Sequence, residues 1–196
     1  MKADKTALIF IEFQNDFCKP GGKSYDSVRD EIARNHTIEN AVRLLAGARS
    51  KGVHIIHCPF VLNLDWAEGK EGLFKNVADG LVFEANSWGG AIIDELQPQE
   101  NEIILKGKRG INAFEHTDLA QILADLGVEN VGVAGFLTSV CAQATAWGAY
   151  DRGYHTRLIP DACGAASQEI QEYVEKEVCP LFGATPRVDD FLAGLE

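Results

Sequence analysis

Three residue types able to run acyl chemistry stand near predicted strand ends of this 196-residue chain: a cysteine, an acid and a lysine. Cys141 lies in GFLTSVCAQATA, which reads as a strand-to-helix turn. With Thr138 or Ser139 as the helix cap, the thiol falls in the first turn. Unpaired backbone N–H groups and the helix dipole favour an anion there. The placement predicts a lowered thiol pKa and, with a cation close by, a thiolate nucleophile. A small buried cysteine packing a helix on a sheet has the same signature. Cys18, Cys58, Cys163 and Cys179 are read as core. Glu12 ends the apolar run of IFIEFQNDF, and an acid there is costly unless it is paired or used. Beside a thiol it can accept a proton and return it to a leaving group. Asp16 competes for the role but reads as a solvated or turn residue. Lys106 and Lys108 both follow the third predicted strand with the same parity, so spacing does not separate them. Arg109 is a third cation in that stretch.

These groups need a frame. Residues 7–11 (ALIFI) form a continuous apolar run, as expected of a strand covered on both faces. A helix is predicted from a Thr37 cap to Gly52, with Ile38, Ala41, Val42 and Leu45 on one face. Residues 53–57, 103–105, 131–136 and 156–159 read as the next four strands, with Pro160 just beyond the last. Further helices are expected near 117–126, 138–152, 167–178 and 187–195. Residues 58–100 are long and irregular and carry Phe60, Trp66, Phe74, Phe83 and Trp88, as loops that cover functional sites do. Strand–helix alternation predicts an α/β fold, a doubly wound parallel sheet of about six strands. Such sheets bind ligands at the carboxyl ends of their strands, where strand order reverses. Glu12, the lysines and Cys141 all follow such ends.

Composition narrows the partners. With 18 Lys and Arg against 29 Asp and Glu the net charge is −11, which disfavours nucleic acid and anionic membranes. The five Cys cannot all pair and none sits in a C-x-x-C motif, so a reduced, cytoplasmic setting is expected. The apolar run at residues 7–11 is too short for a signal-peptide core or a membrane span. No linker or repeat divides the chain, and a single domain over residues 1–196 is expected.

Taken together, IEFQNDF, KRGINAFEHTDL, GFLTSVCAQATA and DACGAAS resemble the isochorismatase-like cysteine hydrolases, in order and across nearly the whole chain. The resemblance implies a three-layer, Rossmann-like α/β/α sheet carrying an acid–Lys–Cys triad. Matched by motif, Glu12 takes the acid position, Lys108 the lysine before the AF pair that ends in Phe114, and Cys141 the nucleophile. A cis peptide before Leu137 is also implied, aiming the Leu137 and Cys141 N–H groups at one oxyanion. Most of the family has Asp at the position of Glu12, and the IEFQNDF form resembles a subgroup with Glu. Nicotinamidase relatives carry an Asp-x-His metal motif after strand two. The stretch here is HCPFVLNLDW, and His57 and Asp65 are too loosely spaced to form one, so neither metal nor cofactor is expected.

The implied reaction is hydrolysis of an amide, carbamoyl or ureido C–N bond of a small molecule through a thioester. True isochorismatases cleave a vinyl ether and lack the cysteine, so Cys141 favours C–N chemistry. Phe17, Phe60 and Trp88 are expected to wall the pocket. The resemblance further implies a homo-oligomer, for which Trp147 and Tyr150 offer aromatic surface. Two rivals remain. TSVC fits the T-x-x-C of peroxiredoxins, although the Pro expected ahead of it is Gly135. A non-catalytic binding or assembly protein would use the same fold.

Overall fold

A computed structural model describes residues 1–196. Its strands are β1 (Thr6–Ile11), β2 (His54–Cys58), β3 (Ile103–Ile104), β4 (Asn130–Phe136), β5 (His155–Gly164) and β6 (Gly183–Ala184). They form one all-parallel sheet in the order β3-β2-β1-β4-β5-β6. The helices are α1 (Asn15–Cys18), α2 (Arg29–Asn35), α3 (Thr37–Lys51), α4 (Leu64–Ala67), α5 (Leu73–Asp79), α6 (Leu119–Asp125), α7 (Gln143–Asp151), α8 (Gln168–Tyr173) and α9 (Val188–Ala193).

Both faces of the sheet are covered, which is why β1 is buried at every position and apolar from Ala7 to Ile11. Leu8 and Phe10 enter one core with Ala41, Leu44 and Leu45 of α3 and Phe191 of α9. Ala7, Ile9 and Ile11 enter the other with Leu119 and Leu123 of α6 and Ala146 and Ala149 of α7. Burying each large apolar side chain contributes about 1.5–3 kcal/mol, so the two layers hold the sheet from both sides.

Several local features differ from the sequence reading. Thr37 begins α3 instead of capping it, and its hydroxyl donates to the Cys163 carbonyl at 3.2 Å. Gly52 does end that helix, with φ +74°. β5 continues through Pro160, because its register with β4 jumps from Val133–Leu158 to Gly135–Cys163. Within that irregular stretch no ladder N–H is required of a proline. The freed Pro160 and Asp161 carbonyls accept from the side-chain amides of Asn35, Gln171 and Asn40. The 58–100 stretch contains two helices, α4 and α5, and β6 has only two residues.

β1 lies between β2 and β4, so strand order reverses between β1 and β4. Gly135 permits the close approach there. It has φ +124°, and a Cβ at that position would stand 2.0 Å from the Ile11 carbonyl oxygen. The carboxyl ends of β1 and β4 therefore open side by side, the place where this architecture binds ligands.

Candidate active site

Glu12 is the first residue past β1. Its backbone is held at φ +55°, an uncommon conformation for a residue with a side chain. Its N–H donates to the Cys58 carbonyl at 3.1 Å, and its own carbonyl accepts from Gln14 N–H at 2.7 Å. The carboxylate is 3% exposed. Its partner is Lys108, which is fully buried and donates through Nζ to Glu12 Oε1 and, at 2.8 Å, to the Gly110 carbonyl. The same Nζ lies 5.1 Å from the centroid of the Phe60 ring. Lys106, by contrast, points outward and is exposed.

Leu105 extends the pairing of β3 by donating to the His57 carbonyl at 2.8 Å, and Val61 donates to the Lys108 carbonyl at 3.2 Å. These bonds carry the lysine inward from an edge strand. Burial alone would pull its ammonium down. The Glu12 carboxylate, with Cys141 and Cys58 near it, instead raises it above the ordinary lysine range.

Cys141 lies in a π-helical turn, residues Thr138–Ala142, that leads into α7. The Leu137 carbonyl accepts from both Val140 and Ala142 N–H, at 3.0 and 3.2 Å. The Phe136–Leu137 peptide bond is cis. Thr138 does not cap the helix, and its hydroxyl donates instead to Gln171 Oε1 at 2.7 Å. Cys141 is 6% exposed and lines a cavity with Glu12. Its thiol is not the lowered one expected from a helix start. Burial and then the Glu12 charge push it well above its ordinary value, and Lys108 pulls the other way without offsetting them. The cysteine thus shares its cavity with one member of an acid–lysine ion pair.

The cavity contains Phe17 and Phe60 but not Trp88. Trp88 is 56% exposed, and only its backbone is engaged, accepting from Asn15 Nδ2 at 2.7 Å. Phe74 and Phe83 complete the aromatic wall in its place. Apolar character alone does not reveal on which side of a turn a tryptophan falls.

The sequence reading also missed the groups that fasten this site. Gln14 is fully buried, donates to the Phe60 and Gly90 carbonyls at 2.9 and 2.7 Å, and accepts from Phe60 N–H at 2.8 Å. Asp16 is buried, not solvated, and accepts from Phe83 N–H at 2.6 Å and Lys23 N–H at 3.0 Å. Buried Thr145 of α7 accepts from Ala113 N–H at 3.1 Å, tying the loop after Lys108 to the helix after Cys141. The signal was their place inside FQND and CAQAT, beside the reactive residues.

No three His, Cys, Asp or Glu side chains are grouped to hold a metal ion. His57 is buried and its Nε2 lies 2.9 Å from Glu102. No helix is long and apolar enough to cross a membrane.

Known proteins resemble this chain along nearly its full length. The ureidoacrylate amidohydrolase RutB of Rhizobium rhizogenes is 27% identical, over 98% of this chain and 84% of its own. The uncharacterized isochorismatase family protein YddQ of Bacillus subtilis is 30% identical over 86% of this chain and 83% of its own. In fold, a cysteine hydrolase from Pseudomonas syringae superposes with a TM-score of 0.86 at 23% identity, covering 98% of this chain and 93% of that one. An isochorismatase family protein from Desulfovibrio vulgaris gives 0.84 at 26% identity, covering 96% and 98%. A profile of the isochorismatase domain matches residues 6–189, and the chain belongs to the isochorismatase family of hydrolases.

Proposed function

We propose that this chain cleaves the C–N bond of a small amide, carbamoyl or ureido compound through a thioester on Cys141. The observation that carries the reading is the thiol lining a cavity beside the buried Glu12–Lys108 ion pair. The ureidoacrylate amidohydrolase relatives support a C–N bond as the target.

With burial and the Glu12 charge pushing the thiol's pKa up, attack calls for a base, and Glu12 acts as general base. The Cys141 proton passes to Glu12 as sulfur bonds to the substrate carbonyl carbon. The N–H groups of Leu137 and Cys141 receive the oxyanion of the tetrahedral adduct. Glu12 then gives its proton to the nitrogen, the C–N bond breaks, and an amine or ammonia leaves a thioester behind. Water next passes a proton to Glu12 as its oxygen attacks the thioester. The C–S bond breaks, sulfur takes the proton back, and the product acid departs. Lys108 keeps its charge throughout and holds the carboxylate in place.

Cys141→Ala removes the nucleophile without touching the ion pair. Its release of ammonia or amine from a panel of small amides falls by at least about 10⁴-fold, with an unchanged unfolding curve. A rate equal to wild type would overturn the reading.

A further inference from the structure

The cavity holding the Cys141 sulfur measures about 140 Å³, and ten of its 14 lining residues are hydrophobic. Phe17, Phe60, Phe74, Phe83, Val77 and Ile111 form most of the wall. A comparable apolar cavity, roughly 150 Å³ and lined by Leu, Ile and Phe, accommodates benzene. Glu12 and Cys141 are the only ionisable residues on the lining. Lys108 spends its charge on Glu12 and the Gly110 carbonyl and does not reach the surface of the cavity. No Lys, Arg or His lines the wall, and Arg109, next to Gly110 in the chain, lies outside it. Lys23, beside the lining residue Ser24, donates to the Leu81 carbonyl. A substrate carboxylate entering here would leave water for a wall with no cation on it: the Lys108 charge is already matched by Glu12, and Arg109, whose buried Nε has no hydrogen-bond partner, is not on the lining. The net charge of −11 adds repulsion at longer range.

We infer that the substrate is an uncharged amide with an apolar body about the size of a benzene ring, and not an anionic carbamoyl or ureido acid. The inference rests on Cys141 being the nucleophile of a hydrolase and narrows what that hydrolase accepts.

Two probes of matched shape read this on Cys141 itself: N-phenylchloroacetamide and its analogue bearing a para-carboxylate. Labelling is followed by mass spectrometry of the Cys141 peptide, alongside turnover of benzamide and of ureidoacrylate. The neutral probe labels Cys141 faster by on the order of 100-fold, and benzamide is the better substrate by a similar factor. Leu73, on the lining and 41% exposed, is a site where a cation can be added with little cost to folding. Leu73→Arg narrows the gap at least about tenfold by giving the carboxylate a partner. Equal labelling by the anionic probe overturns the inference and leaves the hydrolase reading standing. Loss of that labelling in Arg109→Gln would then assign Arg109 as the anion's partner. If neither probe labels Cys141 faster than the other four cysteines, the hydrolase reading falls and the inference falls with it.

Discussion

At the residue scale, the central fact is the buried ion pair that the fold sets beside the sulfur. A lone thiol at a helix start invites the expectation of a lowered pKa, but here burial and a neighbouring carboxylate push it up. Position along the chain was legible in the sequence, whereas the field at the sulfur depends on which charge the fold brings nearest. The same holds for the lysine. Parity left Lys106 and Lys108 equivalent, and only the packed structure buries one and exposes the other. The buried pair makes a specific prediction. Lys108→Met leaves Glu12 without its partner and destabilises the chain by about 3–5 kcal/mol in urea unfolding. The double variant Glu12→Gln/Lys108→Met recovers most of that stability, because no unpaired charge remains, yet stays about 10²–10⁴-fold below wild type in turnover. Recovery of activity together with stability would show that the pair serves folding alone.

At the element scale, the sheet was largely readable because strands covered on both faces are mostly apolar, and β1, β2 and β4 are buried at all but one of their positions. What the sequence hid is what lies outside strict periodicity: the irregular run of β5 through Pro160, the two-residue β6, and α4 and α5 inside the cover segment. The edge strand β3 is equally short and is secured by Glu102. That carboxylate accepts from Arg49 of α3 at 2.7 and 2.9 Å, from Gln99 N–H at 2.9 Å, and lies 2.9 Å from His57 of β2. Burial alone would raise its pKa, but the bonds from Arg49, Gln99 and His57 and the charge of Arg49 hold it down to about 2 from 4.5. A carboxyl lowered by folding stabilises the fold above its unfolded value, and that contribution is lost as pH falls toward the folded one. The stability gap between wild type and Glu102→Gln is therefore widest near pH 7, shrinks below pH 4.5 and is nearly gone by pH 2. A gap independent of pH in urea unfolding would contradict this account of the edge.

Over the whole molecule, one topological feature gathers the chemistry. Strand order reverses between β1 and β4, so the acid past one and the cysteine past the other meet, and the extension of β3 delivers the lysine. The FQND and CAQAT clamps then fix the aromatic cover and the Lys108 loop around that point. The claim on which all else depends is a covalent acyl–sulfur intermediate, and trapping it is the most direct test. During turnover with added hydroxylamine, part of the product is diverted to the hydroxamate, and quenched protein carries the acyl mass on the Cys141 peptide alone. Steady release of free acid, with no hydroxamate and with Cys141 unmodified at every time point, would contradict it.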